Sequence, residues 1–169
     1  MNLEEIPGNT PEKPASAEML TEVPEGWKFF TQIQKEIGCT SDALRVVINK
    51  AMAELPDSFQ YEKYTRNGSA LTQYLSPVVE ERVKKHFQEF PVMPMDHYTA
   101  LEAANKISSP EHRPTILKVI EILKSKGIII PRQFTDRNGA IVEGFSKTII
   151  AETKKFIKDI RSSRVNNNA

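Results

Sequence analysis

The chain of 169 residues has one cysteine, Cys39, and three histidines, His86, His97 and His112. A lone thiol forms no internal disulfide, so packing must hold the fold, and a reducing, cytoplasmic setting is expected. The CxxC and HxxxH spacings of zinc sites are missing. No histidine has an Asp or Cys partner at a spacing that suits catalysis or metal binding. Apolar runs fall well short of the roughly 20 residues that span a bilayer. The first residues lack the basic-then-apolar order of an export signal. Phosphate loops, nucleophile elbows and paired-carboxylate motifs are missing too. The expectation is therefore a protein that is not an enzyme, with no cofactor, no metal and no membrane partner.

Hydrophobic residues at 39% against 27% charged residues fit a soluble globular chain. The net charge of +1 says little, but its distribution says more. Residues 1–26 carry six acids against the single base Lys13, a balance of −5. Residues 27–95 balance at +1 and residues 96–169 at +5. An acidic arm thus masks a basic second half, and such asymmetry points to an anionic partner. The arm is expected to act as a polyanion that competes for the basic faces of that half.

Proline placement divides the chain. Pro7, Pro11 and Pro14 mark residues 1–23 as a flexible acidic arm. Pro91 and Pro94 interrupt any helix and define a linker at 91–95. Residues 24–90 and 96–161 form the two expected units, and 162–169 a frayed tail. In the first unit, Phe29, Phe30, Ile33 and Ile37 have helical spacing from Lys28 onward. Leu44, Val47, Ile48 and Ala51 mark a second helix. Arg66-Asn67-Gly68 lies between two strand-like runs, a hairpin signal. Ser76-Pro77 opens a closing helix. The second unit repeats this order, with a helix from Tyr98 to Ile107 bearing Leu101 and a second helix ended by Gly127. Strands are expected at Ile128–Ile130 and Ile141–Val142 around Arg137-Asn138-Gly139, and a last helix from Ser146. An internal repeat is the expected origin of this parallel. The fold class is mainly α with short β-hairpins.

The run Ile33-Gln34-Lys35-Glu36-Ile37-Gly38-Cys39-Thr40-Ser41-Asp42-Ala43-Leu44-Arg45-Val46-Val47-Ile48 resembles the helix-turn-helix of bacterial regulators. Gly38 suits the left-handed turn, Cys39 is small enough to tuck beneath it, and Thr40 or Ser41 can cap the second helix. Leu44 and Val47 would pack on Ile33 and Ile37. Gln34, where the family has a small residue, and Asp42, near the phosphates, depart from the pattern. The resemblance implies a second helix in the major groove of double-stranded DNA, with Thr40 and Ser41 at its start and Arg45 and Asn49 at base edges. A continuous basic strip joining Arg45, Lys50 and Arg66 would suit that role. The following hairpin resembles the wing of winged-helix proteins, so the resemblance implies tandem winged-helix-like units. On the first hairpin it implicates Lys63, Arg66 and Asn67, and on the second Arg132, Arg137 and Asn138. In the second unit Arg113, Thr115 and Lys118, beside His112, would be the exposed helix face.

Other charged and aromatic groups have plainer readings. Glu80 and Glu81 offset Arg82, Lys84 and Lys85 in a solvated helix face. Lys154, Lys155, Lys158, Arg161 and Arg164 have less compensation and suit either a solvated face or a phosphate backbone. Trp27, Phe29 and Phe30 are expected in the core. The expected function is duplex DNA binding, as a transcriptional regulator or mobile-element accessory factor. The rival is a protein-interaction adaptor using the same units as a scaffold, which Asp42 and the acidic arm favour.

Overall fold

The computed structural model describes residues 23–57, 61–67 and 70–168. The acidic arm, apart from Val23, therefore lies outside the described residues, as does Gly68 of the first hairpin tip. The described residues form six α-helices and two three-stranded antiparallel sheets, a mixed α/β fold.

Local chemistry sets the first helices. Helix α1 (Phe30–Ile37) stops where Gly38 takes φ 76° and returns its N–H to the Gln34 carbonyl. Helix α2 (Ser41–Ala53) starts at Thr40, whose hydroxyl accepts the Ala43 N–H. Strands β2 (Glu62–Asn67) and β3 (Ala70–Leu75) pair from Glu62↔Leu75 to Asn67↔Ala70. A two-residue strand, β1 (Lys28–Phe29), takes the other edge of β3. Helix α3 (Pro77–Glu89) is capped by the Ser76 hydroxyl, with Pro77 in its first turn.

The second half follows the same element order. Strand β4 (His97–Tyr98) precedes α4 (Ala100–Ile107), which opens on a capping box between Thr99 and Glu102. A 3-10 turn, Pro110–His112, leads into α5 (Arg113–Ser125). Strands β5 (Arg132–Thr135) and β6 (Ile141–Ser146) form a hairpin, and α6 (Thr148–Asn166) closes the fold. The sheet orders are β1-β3-β2 and β4-β6-β5. α1 and α4 each have 8 residues, and α2 and α5 each have 13, so the parallel extends to length. Among the described residues no helix is long and apolar enough to cross a membrane.

Several boundaries differ from the sequence expectation. The first helix of each half begins after a short strand, because the backbone of Lys28–Phe29 and His97–Tyr98 pairs with the hairpin. The expected strand at Ile128–Ile130 is not there. Gly127, at φ 69°, and Ile128 return their N–H groups to the Lys124 and Leu123 carbonyls, so this backbone terminates α5 instead. Ser146 ends β6 opposite His97, and α6 starts at Thr148. Leu101 is half exposed, while Ala103 and Ala104 take the inward positions. Phe29 is exposed at the sheet edge rather than in the core.

Each half has its own apolar core. Ile33, Leu44, Val47, Ile48, Leu75 and Val79 pack in the first. Ala104, Ile116, Ile120, Leu123, Phe145 and Ile149 pack in the second. Burying each large aliphatic side chain contributes about 1.5–3 kcal/mol. Glu80 is not part of a solvated face: it is buried, and Lys28 reaches it at 2.7 Å with Lys84 beside it. Both ammonium groups also meet Glu36, at 3.2 and 3.1 Å, which ties β1 and α1 to α3. Burial pulls the Glu80 carboxyl upward, but the two ammonium groups outweigh it and hold it below the usual carboxylate range.

The halves are joined through Thr135. Its N–H donates to the Pro91 carbonyl at 2.8 Å, its carbonyl accepts the Met93 N–H at 3.0 Å, and its hydroxyl donates to the Phe90 carbonyl at 2.7 Å. The turn beyond it reaches α2. Gly139, at φ 83°, lies so close that an added Cβ would sit 2.6 Å from the Val46 Cβ. Gly38 has a similar positive φ but open space around it. Gly38→Ala should therefore cost about 1–2 kcal/mol for the left-handed backbone alone. Gly139→Ala should cost about 1–3 kcal/mol more, because α2 must give way. Urea midpoints compare the two, and equal losses would show that the turn does not press on α2.

Candidate nucleic-acid interface

Helix α2 has the turn and cap that the sequence suggested. Ile33, Cys39, Leu44 and Val47 are buried behind it. Its outer residues do not form one basic strip. Arg45 stacks over the Phe30 ring at 5.7 Å and lines a groove between α2 and the first hairpin, with Ser41, Asn49, Glu62, Tyr64 and Leu71. Lys50 points to a different cleft, beside Glu54 and His86. The expected join of Arg45 to Lys50 fails because five residues of helix turn the two side chains about 140° apart. Ser41 donates its hydroxyl hydrogen to Gln34 Oε1 at 3.2 Å. Burial, then the Glu62 carboxylate, raises the Tyr64 phenol above its ordinary range.

The amino-terminal turn of α2 has a second neighbour. The Thr40 hydroxyl, while capping the helix, donates to the Arg137 carbonyl. Asp136 accepts the Asn138 and Ala140 N–H groups at 2.8 and 2.9 Å and holds the turn in shape. The backbone of Arg137 and Gly139 is thus engaged with α2, while the Arg137 and Asn138 side chains are exposed. Lys63 lies over the Trp27 ring at 5.2 Å and Arg132 over Phe134 at 5.8 Å, so each cation covers an aromatic face. Arg66 and Asn67 lie on β2 opposite Leu71 and Ala70; their side chains are outside the described residues.

The counterpart of α2 in the second half, α5, is less encumbered. Thr115 and Lys118 are exposed on it. The helix begins without a side-chain cap, and the Nε of Arg113, its first residue, is buried without a hydrogen-bond partner among the described residues. Thr115 and His112 face Lys154, Lys158 and Arg161 of α6 across a cleft of about 410 Å³. None of these three cations has an ion pair among the described residues. The sequence showed the α6 bases as a run but gave no sign that they lie beside the start of α5, since some 40 residues separate them.

Among the described residues no group of three His, Cys, Asp or Glu side chains could hold a metal ion. Burial pushes the Cys39 thiol up, away from the reactive thiolate form. No known protein family, curated protein or solved structure matches the chain.

His86 links this surface to the joint between the halves, with its Nε2 3.0 Å from Thr135 Oγ1. Burial lowers its pKa, Lys50 adds to the effect, and Glu89 and Glu54 oppose it. The unfolded chain therefore takes up a proton near pH 6.5 that the folded chain accepts only at lower pH. Stability should fall as pH drops below about 6.5 through the folded-state pKa. Denaturation midpoints between pH 5 and 7 measure this slope. His86→Gln should flatten it, and an unchanged slope in that variant would assign the effect elsewhere.

Proposed function

We propose that the protein binds double-stranded DNA, with the second half as its grip. The observation that carries this reading is the cationic row Lys154, Lys158 and Arg161, without ion pairs among the described residues, set beside the start of α5, which has no side-chain cap. Three bases without carboxylate partners among the described residues can meet phosphate oxygens. The positive end of the α5 dipole adds to the same field. Thr115, in the same cleft, and the exposed Lys118 then face the duplex from α5. In this reading the halves are winged-helix-like units. The first supports the second, because the second hairpin spends its tip on α2 rather than on a groove.

A second reading has its own support. The groove between α2 and the first hairpin encloses about 730 Å³ and has Phe29 and Leu71 exposed at its edge. Arg45 and Glu62 both line it, so it carries charge of either sign. Such an amphipathic groove suits a protein partner better than a polyanion.

Fluorescence anisotropy with a labelled duplex at two salt concentrations separates the readings. Binding should weaken steeply with salt. Replacing Lys154, Lys158 and Arg161 together by Gln should lower low-salt affinity at least tenfold. It should also flatten the log–log salt slope by about two to three units, since each phosphate contact contributes about 0.9. Arg45→Ala should change affinity less than twofold. A large loss in Arg45→Ala with an intact triple variant would return the reading role to α2. No binding at low salt would favour the protein-partner reading.

A further inference from the structure

The cleft between α5 and α6 has a floor that a phosphate backbone does not require. Ile107, Ile116 and Ile157 line it, beneath the rim of Lys154, Lys158 and Arg161. A sugar-phosphate chain gains nothing from isoleucine. An apolar floor under a cationic rim fits a peptide that alternates carboxylates with aliphatic side chains.

The chain carries such a segment. Residues 1–22 hold five acids against one base, and Leu3-Glu4-Glu5-Ile6 sets two carboxylates between two aliphatic side chains. The 17 residue-to-residue steps from Ile6 to Val23 can span up to about 55–60 Å when extended. A compact chain of this length has a radius of gyration of roughly 15 Å. The tether therefore reaches any face of the fold and supplies an effective concentration in the millimolar range.

We propose that Leu3-Glu4-Glu5-Ile6 docks into the α5–α6 cleft of its own chain. Glu4 and Glu5 meet the rim cations, and Leu3 and Ile6 cover the isoleucines. Docking stands on the cleft and the segment alone. Its consequence, that the segment competes with duplex for the same cations, rests on the DNA-binding reading above.

The test uses the full chain and amide NMR spectra without DNA. Two double variants, Leu3→Ser with Ile6→Ser and Glu4→Gln with Glu5→Gln, should each shift resonances in 107–116 and 154–162. A synthetic peptide of residues 1–12, added at millimolar concentration to the chain carrying all four substitutions, should restore them. It should fail to do so when Lys154, Lys158 and Arg161 are also Gln. Shifts confined to residues next to Val23 would overturn the proposal. So would a response to the charge variant alone, which would mean diffuse attraction without a seat. Duplex titration is the separate arm: each double variant should bind duplex about 3–30-fold more tightly at low salt. Cleft shifts in a protein that binds no duplex would keep the docking and overturn the DNA-binding reading.

Discussion

The seat of the second hairpin on α2 constrains everything around it. Gly139 comes within van der Waals reach of Val46 and of the Ala43 carbonyl, which only a residue without a Cβ can do at this backbone angle. Asp136 shapes the turn with its carboxylate, and Thr40 closes the contact from the helix side. Thr135, fully buried, anchors the strand behind the turn to Phe90, Pro91 and Met93. A hairpin fixed at its base and its tip covers the amino-terminal turn of α2.

Charge is handled differently in the two halves. In the first, Lys28, Lys84 and Arg82 are taken up by Glu36, Glu80 and Glu54. In the second, Lys124 pairs with Glu143, and His97 Nδ1 lies 2.8 Å from Asp96 Oδ1. The buried position of Glu80 explains part of the contrast. A desolvated carboxylate needs its partners, so two half-exposed lysines are tied to it. Among the described residues the α6 cations Lys154, Lys158 and Arg161 meet no carboxylate, and they line a cleft.

The two grooves differ in the same way. The one beside α2 combines Arg45 with Glu62 and lies against the aromatic edge of Phe29 and Phe30. The one beside α5 has cations of one sign over isoleucine. Long-range attraction for an anion is therefore concentrated on the second half, where the charge balance along the chain is also most positive.

Much of the local structure follows from neighbouring residues alone. The Gly38 turn, the Thr40 cap, the Ser76-Pro77 start and the hairpin around Arg66-Asn67 depend on backbone and side-chain groups a few positions apart, so the amino-acid order makes them legible. Apolar spacing likewise picks out Ile33, Leu44, Val47 and Ile48 as core. The strands Lys28–Phe29 and His97–Tyr98 are not legible, because two residues carry no period and become strands only against a hairpin edge. That the amino-terminal turn of α2 is covered by the other half is decided by tertiary structure. Thr40 and Arg137 are 97 positions apart, and only packing of one half on the other brings them together. The placement of Lys154, Lys158 and Arg161 beside the start of α5 has the same origin: helical spacing sets which side chains share a face, but the element a face meets depends on how the cores assemble.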